Sequence, residues 1–405
     1  MKKYISLGLC ILFGSGLSHA EGFLGKTSSA EYEADVHEHK DGLFEWPGIT
    51  GSWGGFRETL EKQGFTISSV YTGEFAKNFT ANPVSANNQK KTVYHTNTDL
   101  TLTVDTEKAG AWKGGTFFIY GLGNTGAAPS DYTGDLQGYS NIEAPNKWLI
   151  YEAWYEQTFG SDLSILAGLH DMNSEFYVSD YASLFLNSSF GIGPDLTGNV
   201  PASIFPKAAL GIRVKFNPTE QTYIQAAFYD GDSSTRTFKK DEGKLWIIEA
   251  GIHEDTRAYE IGCWQYTAKK TFSNQTSAND YGLYAIAEQD LVKLAEDKII
   301  SGFVQLGYAP ESRNEIYNYM GAGLHMHGLV PNHVEDDIGL AIAQAKFHAA
   351  SNAEKVAETA IELTYRLVVT PLIAIQPSMQ WIQHAGGDST APLVKAGLLR
   401  FEVSL

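Results

Sequence analysis

Several stretches place carboxylates, guanidinium groups and flat rings on one face of a period-two pattern. Glu152, Trp154 and Glu156 alternate with apolar neighbours, as do Glu249, Glu260 and Trp264 further along. Arg213 and Lys215 share a face opposite Leu210, Ile212, Val214 and Phe216, and Glu362 and Arg366 oppose Ile361, Leu363, Tyr365 and Leu367. Arg400 opposes Leu399 and Phe401 near the end of the chain. Planar Arg and carboxylate groups pair with hydroxyls as donors and acceptors. Trp, Tyr and Phe rings cover the C–H faces of a sugar. A lining of one charge sign would select ions instead. The mixed set therefore suits uncharged polyols. Charged residues on such a wall also pair across neighbouring strands, which gives each a structural alternative.

Other motifs carry less chemistry. Gly121 to Gly126 matches a dinucleotide fingerprint, but Ala-Ala-Pro-Ser follows where a helix is required. His325 and His327 share a strand face and would need a third ligand to hold a metal, so they read as lumen or rim histidines. No nucleophile elbow G-x-S-x-G is present. No enzyme activity and no cofactor are expected.

The elements that must position these residues are strands. About sixteen strand-like segments run from Phe65 to Leu405, an even number within the range of bacterial outer-membrane barrels. Their connections alternate between tiny and long. Gly160-Ser161-Asp162, Asn217 to Glu220, Glu254 to Arg257 and Thr370-Pro371 are short, and the intervening ones are longer and polar. That alternation marks the periplasmic and external faces of an up-and-down barrel. A soluble sandwich has the same periodicity, but the strand count and loop lengths favour a transmembrane antiparallel β-barrel. The last strand runs to Leu405, as closure against the first strand requires.

One segment interrupts the pattern. Asp171 to Lys207 is the third external loop, yet it carries Phe176, Tyr177, Tyr181, Phe185, Phe190 and Phe205. That is too aromatic for a loop free in water. The spacing of Tyr177, Tyr181 and Phe185 predicts a short helix capped by Ser179 and ended by Gly191, Gly193 and Pro194. The loop is expected to fold into the barrel mouth and constrict it, with Phe176, Tyr177 and Tyr181 offering stacking surface.

Composition agrees. The chain has 405 residues, 43% apolar and 12% aromatic, with a formal net charge of -17. That balance excludes nucleic acid as a partner and argues against a general anion channel. Residues 1–20 read as a secretory signal peptide, with Lys2 and Lys3 before an apolar run too short to span a bilayer. Cys10 lies in a lipobox-like stretch but too early for a full apolar region. Without that peptide only Cys263 remains, so no internal disulfide is expected. Residues 21–45 form a polar acidic segment, with His37 and His39 in a solvated tether. Residues 46–64 predict a short helix started by Ser52 and stopped by Gly64, whose stripe of Trp53, Phe56 and Leu60 would plug or brace the barrel foot.

Taken in order, several stretches resemble the carbohydrate-selective outer-membrane porins of the OprB type. They are Ile49 to Arg57, the run from Asn173 to Gly191, Gly282 to Leu291, Gly307 to Asn314, Glu362 to Leu367, and the terminus from Arg400. The terminal Leu405 departs from the Phe common at this position in outer-membrane proteins, and residues 21–45 lie outside the resemblance. The resemblance implies a sixteen-stranded porin with an inward-folded third loop that takes up sugars. Expected partners are small sugars or polyols in transit, outer-membrane lipid and, as porins often form, two further copies in a homotrimer. Two alternatives remain at this point: a general or cation-leaning porin, and an exported β-rich hydrolase or sugar-binding protein.

Overall fold

The computed structural model describes residues 49–272, 275–277, 279–295, 298–330, 335–348 and 356–404. The expected signal peptide at 1–20, the acidic segment at 21–45 with His37 and His39, and Leu405 lie outside the described residues.

Sixteen strands close a barrel in sequence order. They are β1 (Phe65–Asn78), β2 (Thr92–Asp105), β3 (Gly115–Gly126), β4 (Lys147–Phe159), β5 (Leu163–His170) and β6 (Ala209–Phe216). β7 (Thr222–Asp230), β8 (Lys244–Glu254), β9 (Arg257–Tyr266), β10 (Asp280–Ala295) and β11 (Lys298–Tyr308) follow. β12 (Ile316–His327), β13 (Asp337–Phe347), β14 (Glu358–Thr370), β15 (Ile373–Gln383) and β16 (Val394–Ser404) complete the wall. Every neighbouring pair is antiparallel, and β1 pairs with β16 from Val70↔Ser404 to Asn78↔Ala396. Closure leaves no unpaired edge, which a wall in hydrocarbon requires. A two-stranded hairpin, Lys270–Phe272 with Gln275–Ser277, extends the loop after β9.

The alternation is inverted relative to a soluble protein. Leu100, Ile119, Ile212, Ile248, Ile261, Leu283, Leu306, Leu324 and Leu340 are exposed on the outside. Glu74, Asp99, Arg213, Glu249, Gln305, Glu362, Gln380 and Arg400 are buried on the inside. Exposed rings gather at both ends of this apolar band. Phe79, Tyr94, Trp148, Trp246, Tyr281 and Tyr308 lie towards the long loops, and Trp112, Phe117, Phe159, Phe216 and Tyr259 towards the short turns. Such girdles mark the two interfaces of a bilayer. No helix among the described residues is long and apolar enough to cross a membrane.

The seam between first and last strands carries an inward ion pair. Arg400 Nε donates to Glu74 Oε2 at 2.9 Å, and both side chains are fully buried. Removing one partner of such a pair costs about 3–5 kcal/mol. Arg400→Ala is therefore expected to lower the temperature at which the folded barrel loses its compact gel mobility. Arg400→Ala with Glu74→Gln should recover part of that loss. An unchanged transition in the single variant would contradict the assignment.

The N-terminal element differs from expectation. Ser52 precedes a 3-10 turn at Trp53–Gly55 but makes no side-chain cap bond, and helix α1 spans Phe56–Lys62. Gly54 and Gly55 are both left-handed, and they rotate the apolar stripe away from the wall. Trp53 and Phe56 are exposed, while Arg57 is the buried residue of α1. Its Nη1 and Nη2 donate to the carbonyls of Gly51 at 3.4 Å and Ile67 at 3.3 Å. Ile49 N donates to Ser404 O at 3.0 Å. The segment thus braces the foot of the seam through polar contacts and does not insert as an apolar plug.

Candidate functional site: the infolded third loop and the lumen wall

The loop between β5 and β6 lies inside the barrel, but not as the expected helix over Tyr177 to Phe185. It is a chain of short turns: 3-10 turns at Met172–Ser174, Ala182–Leu184 and Ser188–Phe190, and one α-helical turn at Pro194–Thr197. Tyr177 itself is left-handed, with φ 61°. The reason is visible in the hydrogen bonds. Backbone N–H groups along the loop are taken by glutamates of the wall, which fix the chain as separate turns.

Four strands supply these acceptors. Glu152 on β4 accepts from Asp171 N at 2.9 Å, and Glu249 on β8 from Tyr177 N at 2.9 Å. Glu288 on β10 accepts from Asp180 N at 3.1 Å, from Tyr181 N at 2.8 Å and from the Ser179 hydroxyl. Glu362 on β14 accepts from Leu186 N at 2.8 Å and Asn187 N at 2.9 Å. Ser179 does act as a cap, accepting from Ala182 N at 3.1 Å. Bonds to a charged acceptor are the stronger kind, about 1.5–3 kcal/mol each. Carboxylates at four points of the circumference thus clamp one backbone.

Rings fill the space between loop and wall. Tyr177 stacks on Tyr284 with centroids 4.1 Å apart and planes 5° from parallel. Tyr284, Tyr223 and Gln225 also bond Glu249, at 2.7, 2.9 and 2.8 Å. Phe185 and Phe190 pack against Phe303 of β11, and Leu186 joins Ala360 and Ile382 of β14 and β15. The expectation that Phe176 and Tyr177 offer stacking surface to a solute is therefore corrected. Both are fully covered and anchor the loop. Tyr181 keeps partial exposure, and its hydroxyl bonds Asp290.

The remaining expected residues all face inward, in different settings. Trp154 stacks on Phe118 at 4.8 Å and donates to Glu152 at 3.2 Å. Trp264 lies across Gly282, where an added Cβ would come within 2.4 Å of the indole. Neither ring belongs to a membrane girdle. Arg213 Nη2 bridges Glu156 at 2.7 Å and Glu175 at 2.6 Å, and Nη1 reaches Ser164 at 2.5 Å. Lys215 Nζ sits 4.7 Å from the Tyr223 ring centroid. Glu260 bonds His253 at 2.6 Å, and Arg366 pairs with Glu402 at 3.1 Å. Arg400 also reaches Asn141 at 2.5 Å. Among the expected charges, Glu156, Lys215 and Arg366 are the ones left half-buried, on the periplasmic side of the loop.

Glu175 and Glu288 were not anticipated. Glu175 sits in a loop without periodicity, and period two places Glu288 on an inward face without saying what it binds. The second external loop, 127–146, also folds inward, which no periodicity in its sequence signals. Glu358 of β14 accepts from Leu136 N at 3.0 Å, Gln137 N at 2.9 Å and Gly386 N at 2.6 Å. Ser188 N bonds Gly138 O at 2.7 Å and Asn141 N bonds Leu186 O at 2.8 Å, lacing the second loop to the third. His325 and His327 both contact Asp337, at 2.7 and 3.1 Å. No metal-competent cluster occurs among the described residues.

Loop electrostatics set a pH response. Burial pushes Asp195 up to about 7, against the pull of its 3.1 Å bond from the Tyr177 hydroxyl. Burial likewise raises Asp171 to about 6. Burial would also raise Glu175, but Arg213, Lys215 and His170 together outweigh it and hold the carboxyl at about 2. A carboxyl whose docked value is raised binds its proton more tightly when docked, so docking weakens as pH climbs from the ordinary carboxylate range to the raised value. Glu175 contributes the opposite sign, lost only as pH falls towards 2. The Asp195 effect therefore develops between about pH 4 and 7, and the Asp171 effect between about pH 4 and 6. Protection of the loop amides, taken as the exchange rate relative to the intrinsic base-catalysed rate, is expected to fall across that window, and Asp195→Asn should flatten most of the change. An unaltered profile in the variant would contradict the assignment.

Comparison with known proteins agrees with this geometry. The family model described as carbohydrate-selective porin, OprB family, matches residues 89–405. Porin B of Pseudomonas aeruginosa is 24% identical over 449 residues, covering 95% of this chain and 96% of that protein. The high-pH structure of Pseudomonas putida OprB superposes with a TM-score of 0.80 at 20% identity, covering 90% of this chain and 100% of that one. The outer membrane channel DcaP of Acinetobacter baumannii gives a TM-score of 0.54 at 10% identity, covering 84% of this chain and 97% of that one.

Proposed function

We propose, for a chain that belongs to the OprB family of carbohydrate-selective porins, a passive path across the outer membrane that prefers small neutral sugars and polyols to ions. That the protein is an outer-membrane porin follows from the family, and the family and fold are those of channels. The preference for sugars rests on one observation: the three lumen arginines named above are each paired with acids, and the inward glutamates are held by hydrogen bonds. Arg213 is paired with Glu156 and Glu175, Arg366 with Glu402, and Arg400 with Glu74. Glu152, Glu249, Glu288 and Glu362 are engaged by the loop backbone. Among the described residues these acids are turned to the loop backbone and not offered as a filter to passing ions, while hydroxyls meet fixed donors and acceptors.

In this reading the half-buried Glu156, Lys215 and Arg366, with the edge of Tyr181, are the groups a passing sugar touches. Glu260 and Trp264 set the shape behind them. Export through a cleaved signal peptide at residues 1–20 and association into a homotrimer belong to the same proposal. The overall charge of -17 favours one competing reading, a cation-leaning diffusion pore. Swelling of proteoliposomes in sugars of graded size separates the two. The proposal expects fast entry of pentoses and hexoses with a sharp fall for trisaccharides. Equal rates for all sizes, or none for any sugar, would overturn it.

A further inference from the structure

We infer that the outward face at the extracellular end of the barrel seam binds the phosphorylated headgroup of an acylated lipid in the outer leaflet. Lys77 on β1 and Lys395 on β16 both point outward there. Lys77 lies opposite Gly397, two residues from Lys395, and Phe79 N bonds Lys395 O at 2.9 Å. Diagonal neighbours on adjacent strands stand about 7–8 Å apart, within reach of one phosphate for side chains of this length. Neither ammonium has an ion-pair partner among the described residues. The acids of these two strands, Glu74 and Glu402, face the lumen and are held by Arg400 and Arg366.

The surroundings concentrate the same sign. Residues 75–98 contain no acid, in a chain whose net charge is -17, and of their other lysines Lys91 is turned to Tyr132 of the second external loop. Two like charges side by side with no counter-ion repel, so the patch calls for an external anion. Just below it, towards the membrane centre, lies an apolar surface. Phe75 and Tyr94 have ring centroids 4.8 Å apart, and Tyr94 and Phe401 stack at 6.4 Å. The rings of Tyr94 and Phe401 fill the space above Gly73, where an added Cβ would lie 2.3 Å from Phe401. Leu399 is exposed beside them, and the exposed Phe79 ring lies over Gly397, level with the two lysines. An occupant must therefore join an anionic head to apolar chains, at the height where a bilayer presents both. A soluble anion matches only the upper half of the site.

The full-length protein in neutral detergent, titrated with lipid A and read by native mass spectrometry, tests this. Lys77→Gln with Lys395→Gln is expected to weaken lipid A binding about tenfold or more. Lys77→Arg with Lys395→Arg should retain it, as should Lys113→Gln at the opposite rim. Both lysines lie outside the lumen, so sugar entry stays unchanged. Binding of lipid A to the double Gln variant at wild-type strength would overturn the inference. So would inorganic phosphate or phosphatidylcholine binding as tightly as lipid A, since the first would mark a simple anion site and the second a purely apolar one.

Discussion

Replacing Glu288 and Glu362 together by alanine is expected to raise single-channel conductance about threefold and to admit sugars the native pore rejects. The two carboxylates accept five bonds from the loop, at Ser179, Asp180, Tyr181, Leu186 and Asn187. Each bond of this charge-assisted kind is worth about 1.5–3 kcal/mol, and buried N–H groups left without acceptors add a further cost of about 1–3 kcal/mol each. The loop then leaves the wall to find water for its backbone. The barrel survives, because its ladder closes through β1 and β16 without the loop. Glutamine at the same two positions should give a smaller effect, since its carbonyl still accepts one bond. Conductance unchanged in the alanine pair would show that packing of Tyr177, Phe185 and Phe190 suffices alone.

Arg213→Ala is expected to make the passage cation-selective and to slow sugar entry. The guanidinium is shared by Glu156 and Glu175, so its loss leaves two carboxylates near one another without the cation that joins them. A change of about 1.4 kcal/mol in the relative free energy of a cation and an anion gives a tenfold shift in their permeability ratio. Reversal potentials across a salt gradient would report that shift. Arg213→Lys should restore only part of the balance, because an ammonium cannot fork between two carboxylates and a hydroxyl in the same plane. A reversal potential equal to that of the native protein would count against local charge pairing as the basis of selectivity.

The wall was legible because membrane strands alternate with period two and end in rings. The pattern of apolar and polar residues predicts strands at Lys147–Phe159, Leu163–His170 and Ile316–His327, the ends that β4, β5 and β12 take, and one at Tyr281–Gln289, beyond which the longer β10 runs through the exposed Leu291 and Leu294. Inward orientation of Glu152, Arg213, Glu362 and Arg400 was legible for the same reason. Their partners were not. Period two says which face a carboxylate is on, but not that a loop more than a hundred residues away in sequence will donate its backbone to Glu288. The helix expected at Tyr177 to Phe185 failed on this point. Its four-residue spacing is real, yet wall acids hold the loop N–H groups and fix the chain as separate turns. The apolar stripe of Trp53 and Phe56 misled in another way, because left-handed Gly54 and Gly55 reset the direction of α1.

The most direct measurement is the current through a single channel in potassium chloride while glucose is added at constant salt. A narrowed throat whose fixed donors and acceptors hold hydroxylated solutes predicts a saturable fall in current, beyond the change in bulk viscosity, that weakens in the Glu288→Ala, Glu362→Ala protein. Current that tracks viscosity alone, with strong preference for potassium over chloride, would contradict it.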